Sequence, residues 1–121
     1  MQAAQGTVRA VRETDEIVAV CLESEFDMSN APALVEQIDH AILDNNHLIV
    51  DLSKSTFIDS TVIEALFHAA REAKAKERTV VLQLSTDPIV ERLIEITEIE
   101  RVMPRTRSRA EAIQLIEQST G

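Results

Sequence analysis

The amino-acid sequence predicts an α/β fold in which a mixed, mainly parallel β-sheet has an antiparallel edge and about four covering α-helices. Short β-branched, apolar runs alternate with amphipathic segments of about 10–15 residues, as in parallel sheets with helices packed on them. Two such runs stand together at the start of the chain, which predicts the order β-β-α-β-α-β-α-(β)-α. With 121 residues, 45% of them hydrophobic, the chain is long enough for a single domain over residues 1–121, with its ordered core at 7–118.

The first three elements follow from their apolar spacing. Weak alternation predicts an edge strand at residues 7–12, and a β-branched run predicts a stronger strand at 16–22. Residues 29–43 carry apolar side chains at the i, i+3, i+4 spacing of one helix face, and Ser29 or Asn30 is suited to the N-cap position.

The middle of the chain adds one strand and one helix. Residues 47–52 form a short apolar run, which is typical of a strand covered on both faces. Residues 53–57 are predicted as a polar loop, and residues 60–76 as the next helix. Thr61 and Glu64 have the spacing of a capping box at the start of that helix.

The last part of the chain contains a strand at residues 79–84 and a helix that opens at Asp87-Pro88, where proline suits the first position. Residues 102–103 are predicted as a short strand. Ser108-Arg-Ala-Glu111 is a second capping box, whose helix ends near Ser119. The apolar face of the helix at Pro88 is predicted to bury Ile89, Val90, Leu93 and Ile94.

The distribution of charge argues against nucleic acid as a direct partner. Residues 1–70 contain three basic and twelve acidic residues and residues 71–121 contain nine of each, so the net charge of −9 lies entirely in the first part. Binding to a phosphate backbone needs clustered Lys and Arg. The sequence has no Trp or Tyr, which removes the usual stacking platforms for single-stranded bases.

Other compositional features exclude further classes of site. Gly6 and Gly121 are the two glycines, too few for the glycine-rich loops that hold nucleotides. No spacing of His, Cys and carboxylates resembles a metal site, so no cofactor or metal is expected. Apolar runs are shorter than the ~20 residues of a membrane span, and Met1–Asp15 lacks the apolar core of a signal peptide. Cys21 lies in an apolar run and is predicted to be a buried, inert thiol in a reducing cytoplasm.

The topology selects the loops that carry function. In parallel sheets functional groups collect at the carboxyl ends of the strands, which here are the loops at residues 24–29, 53–60 and 85–87. Asp51 lies near the end of its predicted strand. The carboxyl and hydroxyl side chains of these loops include Asp27, Asp59, Ser60 and Thr61.

Ser60 has two compatible interpretations. It is a good N-cap residue for the helix that follows it. It is also placed to accept a phosphate, because the N-terminus of a helix has free N–H groups and a partial positive charge. A phosphate would add a charge of about −1.5 to −2 beside Asp59 and would alter any surface docked on the hydroxyl.

An enzymatic interpretation is also possible, in which Asp27 and Asp59 form a carboxylate pair for acid–base chemistry or hold Mg²⁺. The chain offers no nucleophile–base couple to go with it. His40, His47 and His68 all fall outside the three loops, and each is expected at the surface or partly packed. We therefore expect a protein that is not an enzyme.

Two stretches resemble the signature of the STAS domain family, the bacterial anti-sigma factor antagonists. Residues 48–53 (Leu-Ile-Val-Asp-Leu-Ser) and 57–61 (Phe-Ile-Asp-Ser-Thr) are similar to its strand ending in Asp-Leu and its hydrophobic-Asp-Ser-(Ser/Thr)-Gly turn. Residues 24–27 (Ser-Glu-Phe-Asp) are similar to its Gly-Glu-hydrophobic-Asp turn. The sequence departs from the pattern at two glycine positions, which are Ser24 and Val62 here.

The resemblance implies a mechanism. The unphosphorylated antagonist binds an anti-sigma factor that is also a serine kinase and thereby frees a sigma factor. The kinase, which carries the nucleotide, phosphorylates the Ser after the motif Asp, which is Ser60, and Thr61 is the second hydroxyl position. A phosphatase then restores the hydroxyl. The partner-binding residues carried over by position are Asp27, Met28, Ser29, Asp59, Ser60, Thr61 and Val62.

A second interpretation keeps the STAS fold but changes its task. The chain would then be a scaffold in a stress-signalling assembly, or a small subunit of a transport or lipid-trafficking complex, with no obligatory phosphorylation. In either case we expect a monomer or weak dimer without membrane insertion. Because the candidate turns lie in the acidic part of the chain, the expected partner has a basic docking face.

Overall fold

Over the residues described by a computed structural model, 6–84 and 86–120, the chain forms five strands and four α-helices in the predicted order. The strands are β1 (Thr7–Thr14), β2 (Ile17–Phe26), β3 (His47–Ile58), β4 (Val80–Gln83) and β5 (Arg105–Thr106). The helices are α1 (Ala31–Leu43), α2 (Ser60–Ala75), α3 (Pro88–Thr97) and α4 (Arg109–Thr120), with a short 3₁₀ helix at Ile99–Arg101.

The sheet confirms the predicted fold class. Its strand order is β1-β2-β3-β4-β5, with β1 antiparallel to β2 and all other pairs parallel. Helices α1, α2 and α3, which connect successive parallel strands, pack on one face of the sheet, and α4 packs on the other. The carboxyl ends of β2, β3 and β4 therefore share one edge.

The core lies on both faces of β3, as its apolar run predicts. Leu48 and Val50 pack with the helices of the first face, whereas Ile49 packs with Ala112 and Ile116 of α4 on the second. All five are almost completely buried. Each fully buried aliphatic side chain contributes about 1.5–3 kcal/mol relative to its exposed state, so both layers stabilise the central strand.

The prediction of a polar loop at residues 53–57 is wrong, because β3 continues through this stretch to Ile58. Its partner β2 also runs on to Phe26, past the predicted end at residue 22, and the two strands stay paired as far as Phe26 and Ile58. The pairing between β3 and β4 ends earlier, at Asp51 and Gln83. The last residues of β3 consequently have a neighbouring strand on one side, and several of their polar side chains face solvent.

The prediction of a strand at residues 102–103 is also wrong. Val102 ends the 3₁₀ helix and is half exposed, whereas Met103 is fully buried in the core. The short strand is Arg105–Thr106, and it is joined to β4 by a bond from the backbone N–H of Leu82 to the carbonyl of Pro104 (2.8 Å). Two adjacent apolar residues are too few to distinguish a short strand from a turn that buries one side chain in the core.

The starts of α3 and α4 follow the sequence prediction. Oδ1 of Asp87 accepts the backbone N–H of Ile89 (2.9 Å), and Oγ of Ser108 accepts that of Glu111 (3.1 Å). Both satisfy N–H groups that the helix itself leaves unpaired.

A polar cluster around Arg109 ties α4 to the middle of the sheet. The Arg109 guanidinium donates to Asp51 on β3 (2.5 Å) and to Gln83 on β4 (2.9 Å), and it also pairs with Glu13 on β1. Its Nη2 lies 3.3 Å from Sγ of Cys21 on β2. Cys21 is buried as predicted, and burial raises the pKa of its thiol.

Ser53 and Arg109 together keep the Asp51 carboxylate ionised inside the fold. Burial by itself raises the pKa of Asp51, but hydrogen bonds from Ser53 and the bond and charge of Arg109 outweigh it and hold the pKa below its usual value of 3.8. The Asp51 ion pair therefore stabilises the folded chain above that pH, and its contribution is lost as the pH falls through the lowered pKa.

We expect Arg109→Gln to lower the free energy of unfolding at pH 7 by about 2 kcal/mol, because it leaves the buried Asp51 carboxylate without its countercharge. The loss should shrink as the pH falls from 3.8 through the lowered pKa of Asp51, where the carboxylate becomes protonated. Urea unfolding at pH 7 and pH 3 measures both effects. The matched control is Arg107→Gln, which removes an exposed arginine paired with Glu91; a loss as large in this control would show that the cluster has no special role.

A second prediction concerns Ser24, which has a φ of 66° at an irregular step of the β2–β3 pairing before Glu25. Glycine adopts this left-handed conformation without steric cost. We expect Ser24→Gly to stabilise the fold by about 0.5–1 kcal/mol in thermal or urea unfolding. Glu25→Gly, at a neighbouring position without positive φ, should destabilise it; equal effects from the two variants would contradict this explanation.

Candidate functional site

The turns that follow β2 and β3 lie side by side at one edge of the sheet. Phe26 and Ile58 are paired in the register of the two strands, so the next residues, Asp27 and Asp59, leave the sheet as neighbours. The backbone N–H of Met28 donates to Oδ2 of Asp59 at 3.2 Å and joins the two turns directly. The structure thus brings together the two carboxylates that the sequence singled out.

Asp59 is the N-cap of α2 and the single residue between β3 and that helix. Its Oδ1 accepts the backbone N–H of Thr61 (2.9 Å) and the Thr61 hydroxyl (2.5 Å), and its carbonyl accepts the N–H of Val62 (3.1 Å). The sequence analysis placed the cap at Ser60 or Thr61, which is wrong by one or two positions. Aspartate caps as well as serine, and local spacing alone does not choose between adjacent capping residues.

The two hydroxyls that follow Asp59 are in different states. Ser60 is the first residue of α2, its side chain is exposed, and its hydroxyl makes no hydrogen bond to any part of the chain that the structure describes. The Thr61 hydroxyl is half-buried and engaged by Asp59. Of these two candidates, Ser60 is the accessible one.

The Asp27 turn is held by its own side chains. Oδ1 of Asp27 accepts the backbone N–H (2.8 Å) and the hydroxyl (2.5 Å) of Ser29. Asn30 occupies the N-cap position of α1, but its Oδ1 accepts the backbone N–H of Asp27 (2.8 Å) instead of capping the helix. The Ser29 hydroxyl, followed by its N–H, holds the pKa of the exposed Asp27 below its usual value of 3.8. Asp27 is therefore a charged surface group at neutral pH.

Gly6 supports the same turn from the start of β1. Its N–H donates to the carbonyl of Glu25 (2.9 Å). A Cβ at this position would lie 2.3 Å from that oxygen and 2.6 Å from the ring of Phe26, so only glycine fits. The sequence analysis did not find this role, because nothing in the local sequence indicates which strand lies against Gly6.

The two departures from the STAS motif have different structural consequences. The Val62 side chain is fully buried in the core under α2, so it does not project from the edge where Ser60 is exposed. Ser24 takes the left-handed conformation that glycine favours.

Three large apolar side chains are exposed at or near this edge. Met28 is 74% exposed, Phe57 43% and Ile89 72%. The sequence analysis named Met28 for its position in the motif but missed Phe57, which it placed in a loop, and wrongly predicted Ile89 to be buried. Ile89 stands in the first turn of the ten-residue helix α3, whose buried side chains, Val90 and Ile94, lie further along.

Other predicted features fall elsewhere. In the third loop, Ser85 lies outside the described residues, and Asp87 caps α3. His40 is exposed and Nε2 of His68 lies 2.7 Å from Asp39, whereas His47, expected to be partly packed, is fully buried at the start of β3.

Within residues 6–84 and 86–120, no three His, Cys, Asp or Glu side chains are arranged to hold a metal ion. No helix in the same ranges combines the length and the apolar character that a membrane span needs.

The Asp27 turn leads to a test by titration. We expect Ser29→Ala to raise the pKa of Asp27 towards 3.8, because the variant removes the hydroxyl that stabilises the carboxylate. NMR titration of the Asp27 carboxyl carbon measures the change directly. Ser29→Thr, which keeps a hydroxyl, should preserve the lowered pKa; an unchanged pKa in Ser29→Ala would show that this bond does not hold the turn.

Comparison with known proteins supplies relatives for this fold. Solved structures with the same fold include an anti-sigma factor antagonist from Mycobacterium paratuberculosis, 24% identical over 93% of this chain and 95% of that one, with a TM-score of 0.79. SpoIIAA, also an anti-sigma factor antagonist, is 20% identical in its unphosphorylated form, over 93% of this chain and 97% of that one, with a TM-score of 0.80. The phosphorylated form of SpoIIAA, a Bacillus cell fate determinant, is 20% identical over 91% of this chain and 99% of that one, with a TM-score of 0.72.

These likenesses, all under 25% identity, concern the fold. No curated protein matches the chain at a significant level of sequence similarity. The model of the STAS domain family matches residues 9–112. This match spans the five-stranded sheet, both turns at its edge and the start of α4. The chain therefore belongs to the STAS domain family.

Proposed function

We propose that this chain is an anti-sigma factor antagonist controlled by phosphorylation of Ser60. With the hydroxyl free, it binds an anti-sigma factor that is also a serine kinase, and a sigma factor is released. The kinase, which holds the nucleotide, then transfers a phosphate to Ser60, the complex dissociates, and a phosphatase restores the hydroxyl. In this proposal the chain is a single-domain, cytoplasmic binding module, acting as a monomer or weak dimer, with no catalytic role of its own.

One observation carries the proposal, and it is the state of the Ser60 hydroxyl. It is exposed at the first position of α2 and unpaired within the described residues, whereas the neighbouring Thr61 hydroxyl is held by Asp59. A kinase needs an accessible hydroxyl, and the exposed Ser60 provides one. Asp59 sets its position by capping the start of α2 and by accepting the backbone N–H of Met28 from the neighbouring turn.

The electrostatics of the edge explain how a phosphate would act. Phosphorylation adds a charge of about −1.5 to −2 beside Asp59 and near the exposed Asp27 turn. The N-terminus of α2 offsets part of this charge within the folded chain, by about 0.3–1 kcal/mol, so the fold tolerates the group. A partner whose surface complements a neutral hydroxyl gains no such compensation and loses affinity.

The surface around Ser60 suggests what the partner looks like. Met28 and Phe57 supply exposed apolar area beside the carboxylates of Asp27 and Asp59. Apolar centres with charged rims are typical of protein–protein interfaces. We infer a partner with an apolar patch flanked by Lys or Arg, which Ser29 and Thr61 also contact, whereas Val62 contributes through its backbone.

The first test is phosphorylation itself. We expect a histidine-kinase-like ATPase encoded beside this chain, with ATP, to add one phosphate that mass spectrometry assigns to Ser60. Thr61→Ala should still be modified and Ser60→Ala should not, because the Thr61 hydroxyl is engaged by Asp59. An active kinase that leaves Ser60 unmodified, or modifies Thr61 instead, would refute the proposal.

The second test is binding. We expect Ser60→Asp to weaken association with the anti-sigma factor at least tenfold, since a new charge at a complementary interface costs about 1.4 kcal/mol or more, whereas Ser60→Ala binds as the wild type does. Calorimetry or surface plasmon resonance measures both. Ser119→Asp adds the same charge in α4 and should have no effect. Equal binding by Ser60→Ala and Ser60→Asp would favour the scaffold or transport-subunit role instead.

A further inference from the structure

A cavity of about 610 Å³ lies at the opposite end of α2 from Ser60. Its walls come from the second half of α2, the turn into β4 and the segment that follows the 3₁₀ helix. Its volume falls within the range of about 300–1,000 Å³ that is usual for small-molecule sites. The α2 residues that line it run from Phe67 to Lys74, roughly 10–21 Å along the helix axis from Ser60, so it is separate from the proposed kinase-binding edge.

The charge of the cavity is opposite to that of the chain. Four cationic side chains line it, together with the carboxylate of Glu77. The whole protein carries a net charge of −9, so a concentration of positive charge in one concave site is unexpected for a merely solvated surface. Clustered guanidinium and ammonium groups favour carboxylate and phosphate ligands. The cations are Arg71, Lys74, Arg78 and Arg101.

The remaining wall of the cavity is apolar. Phe67 and Val80 belong to the packed side of the site, and Pro104 and Val102 close it from the segment before β5. Val102 is 51% exposed. A ligand that covers Val102 would remove this apolar surface from water.

Arg78 supplies an independent sign that an acceptor is missing from its surroundings. Its Nε is buried and has no hydrogen-bond partner among residues 6–84 and 86–120. Its Nη1 lies 3.4 Å from Nε2 of His47. Nδ1 of His47 accepts the backbone N–H of Thr79 at 3.0 Å, so the proton of the neutral imidazole is on Nε2. Two donors therefore face each other.

His47 does not relieve this mismatch by changing its charge. Burial, and then the charge of Arg78, lower the pKa of His47 below its usual value of 6.5, so the imidazole is neutral at pH 7 and keeps its proton on Nε2. Buried donors are paired in the great majority of native structures. Arg78 also lines the cavity, so an anion bound there pairs with the charge of its guanidinium.

We propose that this cavity binds a small amphipathic anion, with a carboxylate or phosphate head at Arg78 and the neighbouring cations, and an apolar body against Phe67, Val80 and Val102. The head of such a ligand pairs with the cationic side chains of the cavity, and its body covers the apolar ones. A purely ionic ligand leaves the apolar wall exposed, and a neutral hydrocarbon leaves the guanidinium unpaired.

The test is a titration followed by ¹H–¹⁵N NMR with decanoate below its micellar concentration. Saturable shifts are expected at the amides of Thr79, Val80 and Val102 and not at those of Met28 and Ser60. Acetate, which has the head alone, and decanol, which has the body alone, should bind at least tenfold more weakly. Octyl phosphate distinguishes the preferred head group. Equal binding of decanol and decanoate, or shifts centred on Ser60, would overturn the proposal.

Variants locate the site. Arg78→Gln and the exposed-site variant Val102→Asp should each reduce decanoate affinity at least tenfold, the second by placing a repelling charge on the apolar wall without disturbing a buried group. The matched control is Arg92→Gln, which removes an exposed arginine on α3, outside the cavity. An equal loss in Arg92→Gln, or full affinity in Val102→Asp, shows that binding is a non-specific effect of charge and rejects the site.

Discussion

The Asp59 carboxylate is the interaction on which the candidate site depends. One oxygen caps α2 through Thr61, and the other accepts the backbone N–H of Met28 from the neighbouring turn. A single side chain therefore fixes the direction of the helix and the position of the loop beside it. Since Asp59 occupies the Thr61 hydroxyl as well, it also makes Ser60 chemically distinct from the residue that follows it.

Much of the fold could be predicted from the sequence because its elements are short and strongly periodic. The apolar run at the start of β3 and the Cys21 run of β2 are buried as their composition indicates. The meeting of Asp27 and Asp59 was also predictable, because parallel neighbours end at the same edge. This inference needs only strand order, which the alternation of helices and strands largely determines.

What could not be predicted depends on contacts between distant residues. The last residues of β3 are polar, so the sequence predicts a loop there. They are exposed because β4 ends earlier than β3, and the local sequence of β3 does not show where β4 ends. The partners of Arg109 come from four strands, one residue each, so neither charge nor spacing brings them together in the sequence. The contact between Nη1 of Arg78 and Nε2 of His47 likewise becomes a mismatch only when Thr79 is placed beside His47.

The junction between sheet and helix has a consequence for changes in chain length. Only Asp59 separates the last residue of β3 from the first residue of α2, so this connection contains no slack. One inserted residue would turn the helix by about 100° about its axis, carrying the Ser60 hydroxyl off the exposed surface and Val62 out of the core. Insertions are tolerated where a loop can absorb them, as between Leu43 and His47. The position of the Ser60 hydroxyl therefore depends on the number of residues between β3 and α2. A change in the length of this junction would remove the hydroxyl from the exposed surface.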